Sequence, residues 1–166
     1  MKRPGSIALA AAAAGALIAL AGCARPGEVR NMELAATLTG YQAVPGPGDL
    51  DGTGTARIRV DAETGEVCWE LTARGIEPAS AAHIHRGEAG TAGPPVVPLA
   101  APGASERSEG CAGAGAELAR ELLTRPHGFY VNVHNAAFPA GAIRGQLRAQ
   151  PRRPQGLPAP PPGGRR

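Results

Sequence analysis

Two alternating segments in the middle of the chain constrain its fold more strongly than any other feature. Apolar side chains occupy every second position in residues 56–60 and again in residues 67–73. Such alternation is typical of β-strands that bury one face and expose the other. The connection from Asp61 to Gly65 is short and ends in glycine, as in a type I turn followed by a glycine bulge. The two segments therefore predict an antiparallel hairpin with Trp69 on its buried face.

The rest of the chain between residues 31 and 147 shows mostly strand and turn signals. A short helix is predicted over residues 114–124, where leucines recur at helical spacing before Pro126. Strands and helices do not alternate, which argues against a parallel α/β sheet. We expect one all-β domain over residues 32–148, an antiparallel Greek-key β-sandwich or barrel with one short helix. The further predicted strands are Leu34 to Leu38, His83 to His85, Val96 to Leu99 at an edge, Phe129 to His134, and Ala142 to Leu147.

The first residues have the pattern of a secretory leader. Two basic residues precede an apolar segment, residues 7–20, which is shorter than the roughly 20 apolar residues of a membrane-spanning helix. The run Leu20-Ala21-Gly22-Cys23 resembles the bacterial lipobox, after which the leader is removed and the cysteine is acylated. We therefore expect residues 1–22 to be a lipoprotein signal peptide and Cys23 to be lipidated. An ordinary signal peptide with a chance cysteine is the alternative.

Acylation of Cys23 predicts where the mature chain resides. Two or three acyl chains on one residue anchor a protein more firmly than a single chain does. We expect residues 23–31 to form a linker and the domain to face the periplasm or the exterior of the cell envelope. The absence of Asp at Ala24 favours the outer membrane if the source is Gram-negative.

The positive net charge of the chain, +3, belongs to its ends. The leader and the tail, residues 149–166, contain basic residues and no acidic ones, so the predicted domain itself has an excess of acidic residues. The charge therefore gives no support for nucleic-acid binding. The tail is rich in Pro, Gly and Arg and has almost nothing to bury, so we expect it to be disordered.

Once Cys23 is assigned to lipid, two cysteines remain. Cys68 and Cys111 form an even pair in a chain that is expected to be exported, where disulfides persist. We expect a disulfide between them. A pair of free thiols or a metal site is the alternative.

Three of the four histidines lie in predicted strands. His83 and His85 share a face because strand side chains repeat with period two, and His134 lies in a later strand. If the two strands are close, the three imidazoles can converge on copper or zinc, for which three histidines and an open position are an accepted ligand set. His127 or Glu88 could then supply a fourth ligand.

A polar core is the other explanation of these histidines and the one that the sequence favours, and it leaves the chain with no certain cofactor. Buried imidazoles need hydrogen-bond partners, and Asn132 and Arg144 are natural candidates for such a network. Arg144 and Gln146 alternate with apolar residues, which predicts a solvated or network role for them. Arg86, close to His85 in sequence, argues against a bound cation unless it pairs with Glu88.

Two long motifs resemble a known family, the CHRD domain first described in chordin. The first is His83-Ile84-His85-Arg86-Gly87, followed by Ala89-Gly90 and Gly93-Pro94 with Val96-Val97. The second runs from Tyr130-Val131-Asn132-Val133-His134 through Phe138-Pro139-Ala140-Gly141-Ala142-Ile143-Arg144-Gly145-Gln146-Leu147. Cys68 and Cys111 also stand where bacterial members usually carry cysteines, and the resemblance covers residues 32–148. Asn135 departs from the family pattern, which often has Thr there.

The resemblance implies an exported β-sandwich domain without a settled activity. In chordin, CHRD domains accompany modules that bind secreted growth factors. The arrangement of histidines is also reminiscent of the copper–zinc superoxide dismutases, which are Greek-key β proteins, whereas an immunoglobulin-like sandwich is the other architecture that we expect. The further zinc ligands of the dismutases have no evident counterpart in this sequence.

No catalytic arrangement stands out in the sequence. Ser80 and Ser105 have no base partner, and no paired carboxylates or reactive cysteine can be identified. We therefore expect a non-enzymatic module, held on a membrane by its lipid, that binds an envelope or extracellular protein. A copper- or zinc-binding envelope protein that uses His83, His85 and His134 is the alternative.

Overall fold

A computed structural model describes residues 31–150, so the predicted leader, Cys23, most of the linker and most of the tail lie outside the described residues. The described part contains nine strands, one α-helix and three short 3-10 turns. The elements are β1 (Asn31–Thr39), β2 (Thr53–Asp61), β3 (Glu66–Arg74), β4 (Ala81–Arg86), β5 (Pro95–Leu99), β6 (Arg107–Gly113), α1 (Ala116–Thr124), β7 (Phe129–His134), β8 (Ile143–Gln146) and β9 (Arg148–Ala149).

All strand pairs are antiparallel, and the strands follow the order β5-β4-β7-β8-β1-β2-β3-β6, with β9 paired to β1. The two end strands, β5 and β6, contact each other, so the sheet curls into a nearly closed barrel. The predicted all-β class with a single short helix is confirmed. None of the described helices is long and apolar enough to cross a membrane.

The predicted hairpin is formed by β2 and β3, which pair along their whole length. Asp61 organises the turn: its carbonyl accepts the Gly65 amide at 2.9 Å, and its carboxylate accepts the amides of Glu63 and Thr64 at 2.8 and 3.2 Å. Gly65 has φ +72°, a conformation that glycine adopts without a steric penalty. The turn therefore fixes the register that sends Trp69 inward.

The core fills the barrel and continues under α1. Trp69 is 8% exposed, and its ring lies so close to Gly110 that a Cβ there would stand 2.7 Å from a ring atom. The helix buries Ala119, Leu122 and Leu123 against the barrel, as its predicted apolar spacing requires. The other large side chains that are almost completely buried include Leu34, Leu38, Ile58, Leu71, Ile84, Phe129, Ile143 and Leu147.

Cys68 and Cys111 are disulfide-bonded, as predicted, and stand directly opposite each other on β3 and β6. Strand β6 itself was not predicted from the sequence. Its residues alternate between exposed and half-buried, and they include two glycines and few apolar side chains. The strand therefore lacks the apolar face by which the other strands are recognised.

Candidate metal centre

One outer face of the barrel carries an unusual concentration of polar side chains. Strand β7 lies between β4 and β8, and its register places His83 opposite Asn132, His85 opposite Tyr130 and Asn132 opposite Arg144. The alternate residues of the same strands fill the core. The polar residues that share the outer face are His83, His85, Tyr130, Asn132, His134, Arg144 and Gln146.

Two loops fold over this face and bond to it through backbone carbonyls. Residues 87–94 connect β4 to β5, and the Gly93 carbonyl lies 2.8 Å from His85 Nδ1. Residues 135–142 connect β7 to β8, and the Pro139 carbonyl lies 3.0 Å from His134 Nδ1. A carbonyl can only accept a hydrogen bond, so each Nδ1 carries the proton and donates it. The lone pair of both rings is therefore on Nε2.

The three histidines form a compact triangle. Their ring centroids are separated by 5.5 Å between His83 and His85, 5.4 Å between His83 and His134, and 5.9 Å between His85 and His134. One ring nitrogen from each lies within 4.8 Å of one nitrogen from each of the others. Zn–N bonds of about 2.0–2.1 Å place ligand nitrogens roughly 3.5 Å apart, so small side-chain rotations suffice to close the triangle on one ion. The structure thus brings together all three residues that the sequence singled out.

Each histidine also has a buried ring nitrogen without a hydrogen-bond partner. These nitrogens are His83 Nδ1, His85 Nε2 and His134 Nε2. Buried polar atoms in proteins are almost always paired, so three unpaired atoms in one cluster require an explanation. The two Nε2 atoms carry free lone pairs, and His83 Nδ1 carries one when the proton of that ring is on Nε2, so the three positions suit a cation.

Burial and electrostatic repulsion lower the pKa of His83 and of His85, which favours the neutral form of these two rings. Burial is the main cause that lowers the pKa of His83, and the charges that His134 and His85 would carry lower it further. Burial also lowers the pKa of His85; the bond to Gly93 opposes this effect, while His134 and Arg144 add to it. Neutral imidazole is the form that binds metals.

The structure does not bring the suggested fourth ligands to the cluster. His127 and Glu88 are exposed, and neither belongs to the group of mutually close ligand atoms. Arg86 points away from the histidines, because it pairs with Glu121 rather than Glu88 and its guanidinium lies 5.1 Å from the centroid of the Phe129 ring. The objection that Arg86 raised against a bound cation is therefore removed.

The predicted polar network exists, but it does not include the histidines. Asn132 donates to the Ala140 carbonyl at 3.1 Å, and Arg144 donates to the Glu88 carbonyl at 2.9 Å. Gln146 Nε2 has two hydrogens to donate and lies within 2.9 Å of three carbonyl oxygens, those of Gly87, His127 and Phe129. These side chains hold the covering loops, whereas the histidine nitrogens that face one another stay unpaired.

Two features of the face were not apparent from the sequence. Arg144 is only 2% exposed, so the solvated role considered for it is wrong. The ring of Tyr130 is stacked on that of His85, with ring centroids 5.0 Å apart and ring planes at 16°. The Tyr130 hydroxyl accepts a hydrogen bond from the Gly93 amide at 3.0 Å and lies 3.3 Å from the Gly93 carbonyl oxygen. The stack depends on the long-range pairing of β4 with β7, for which the sequence holds no signal.

The fold and this face define an antiparallel β-barrel that serves as a binding or structural module, with a candidate metal centre under two loops. Residues 34–147 match the family model of the CHRD domain, and the chain belongs to that family. The match covers nearly all of the domain expected over residues 32–148. No curated protein and no solved structure matches the chain.

Proposed function

We propose that this CHRD domain binds a copper or zinc ion through His83, His85 and His134. The observation that carries the proposal is the convergence of three buried, unpaired imidazole nitrogens, one from each of these residues. Leaving a buried polar atom unpaired costs about 1–3 kcal/mol, and a metal–nitrogen bond removes that cost at all three positions. Imidazole is a ligand that suits both copper and zinc.

The surroundings of the cluster support the same role. Metal-binding histidines usually donate their other ring N–H to a backbone carbonyl or a carboxylate, which fixes the tautomer and the orientation of the ring. His85 and His134 make such bonds to the carbonyls of Gly93 and Pro139.

We further propose that the domain acts in the cell envelope as a lipid-anchored, non-catalytic module. The lipobox-like run that ends at Cys23 supports the anchor, and the disulfide between Cys68 and Cys111 is typical of an oxidising compartment.

The double substitution His83→Ala, His85→Ala tests metal binding. The purified wild-type protein, with the Cys68–Cys111 disulfide formed, is loaded with Cu or Zn, dialysed and analysed for metal, and we expect one ion per chain. The double variant should bind none while its circular dichroism and thermal transition remain those of a folded domain. His127→Ala is the matched control, because His127 is exposed and outside the cluster, and it should bind like wild type. A wild-type domain that binds neither metal overturns the proposal.

A further inference from the structure

The candidate centre has no negative charge among its ligands. The group of mutually close ligand atoms consists of His83, His85 and His134, without a carboxylate or a thiolate from the described residues. Glu88 is near in sequence, but its side chain is exposed and it contributes only its backbone carbonyl to the loop contacts. A bound ion would therefore keep its full positive charge inside the protein.

A buried positive charge without a counter-charge lies beside this centre. Arg144 is 2% exposed, and none of the ion pairs in the described part of the chain includes it. Its Nη2 contacts the Glu88 carbonyl at 2.9 Å and Gln146 Oε1 at 3.4 Å, while Nη1 has no partner. The guanidinium carbon lies 3.5 Å from the centroid of the Tyr130 ring, a cation–π contact that stabilises the charge without neutralising it.

The ring of Tyr130 separates Arg144 from the histidines. Strand β7 lies between β8, which carries Arg144, and β4, which carries His85, and Tyr130 contacts both side chains. Arg144 thus acts on the centre through space rather than as a direct partner of a bound ligand.

Charge and coordination both favour a monovalent ion here. The Coulomb energy between Arg144 and a bound ion is twice as large for a divalent ion as for a monovalent one. Zinc in proteins is almost always four-coordinate, and a three-histidine site completes this set with water or a substrate. The three facing nitrogens are buried, which restricts access for such a fourth ligand. Cu(I), by contrast, is stable with three neutral nitrogen ligands.

We propose that the three-histidine centre is selective for Cu(I) over Cu(II) and Zn(II), and that Arg144 is the residue that sets this selectivity. The inference rests on the proposed metal-binding function and adds the oxidation state of the ion. Arg144 serves here as an electrostatic residue and is not a ligand.

The test compares the metal affinities of the wild-type protein, purified as the full chain, with those of three variants. Anaerobic competition with the chelator bicinchoninate gives the Cu(I) affinity, and chromophoric chelators give the Zn(II) and Cu(II) affinities. We expect Arg144→Gln to lower the preference for Cu(I) over Zn(II) by about tenfold or more, because removal of a nearby charge favours the divalent ion most. Arg144→Lys keeps the charge and should keep the preference. Arg59→Gln removes an exposed charge on β2 and should change nothing.

The outcomes separate this inference from the proposed function. A domain that binds none of the three ions contradicts the proposed function itself. A domain that binds Zn(II) or Cu(II) more tightly than Cu(I), or an Arg144→Gln variant with an unchanged preference, overturns only the selectivity. If Arg144→Gln does not fold, the reduction potential of wild-type copper decides, since selectivity for Cu(I) requires a potential above that of the aqueous ion. An affinity for Cu(II) that rises with added azide and depends on Arg144 would instead make Arg144 an anion-binding residue and overturn the proposal.

Discussion

At the scale of single residues, Gly141 shows how closely the covering loop fits the histidine face. Its φ of +144° is rarely adopted by other residues, and a Cβ there would lie 2.5 Å from Asn132 Oδ1. Asn132 in turn holds the loop through the Ala140 carbonyl. We expect Gly141→Ala to lower the free energy of unfolding by about 2 kcal/mol or more, through backbone strain and displacement of Asn132. Urea denaturation of the disulfide-bonded domain measures the loss.

Gly103→Ala is the matched control for this prediction. Gly103 also has a positive φ, +54°, but no atom lies within 4 Å of the position that its Cβ would take. We expect Gly103→Ala to lower the free energy of unfolding by less, about 1 kcal/mol, because only the backbone preference changes. Equal losses at the two positions would mean that the contact with Asn132 contributes nothing.

The sequence predicted which histidines share a face, but not their chemical state. His83 and His85 had to lie on one face, because side chains alternate along any strand. The loop from residue 87 to 94 folds back over the face, where the Gly93 carbonyl pairs with His85 Nδ1 and leaves Nε2 unpaired. The Glu88 carbonyl of the same loop accepts a hydrogen bond from the buried Arg144. Contacts of this kind leave no periodic signal in a sequence.

At the scale of secondary structure, local pairing was predictable and long-range pairing was not. The β2–β3 hairpin follows from alternation and a glycine-containing turn, both of which are local. The neighbours of β1, by contrast, are β2, β8 and β9, two of which come from the far end of the described chain. The contact between β4 and β7, on which the convergence of the histidines depends, is of the same long-range kind.

The disulfide allows a test at this scale, because it joins two strands that are distant in sequence. Cys68 and Cys111 are 43 residues apart. In the chain-entropy model, a disulfide that closes a loop of this size lowers the entropy of the unfolded chain and so stabilises the folded state by roughly 4 kcal/mol. We expect Cys68→Ser, Cys111→Ser to lose about 2–4 kcal/mol of unfolding free energy in urea denaturation. Metal binding by the folded variant should be unchanged, because His83, His85 and His134 lie on other strands.

Wild-type domain treated with a reductant is the control for that substitution. It should lose a similar amount of stability, since both treatments remove the same covalent link. A variant that keeps the wild-type free energy of unfolding would contradict the prediction, because it would show that the disulfide adds no stability to the β3–β6 pairing.

At the scale of the whole molecule, the proposed anchor and the proposed metal centre occupy separate parts of the chain. The barrel begins at Asn31 and closes through its own strand contacts, and the family match lies entirely within it, over residues 34–147. The histidines belong to β4 and β7. Loss of the lipid should therefore change where the protein resides without changing what it binds.

Cys23→Ser tests this separation in the full chain. Because acylation needs the cysteine thiol, we expect the variant to lose incorporation of labelled palmitate and to leave the membrane fraction, where wild type should be retained by two or more acyl chains. The Cys68→Ser, Cys111→Ser variant is the matched control, since it removes two other cysteines and should stay with the membrane. Metal content per folded chain should be the same in wild type and Cys23→Ser. A Cys23→Ser protein that remains membrane-bound would contradict the lipid anchor and would assign retention to the apolar residues 7–20 instead.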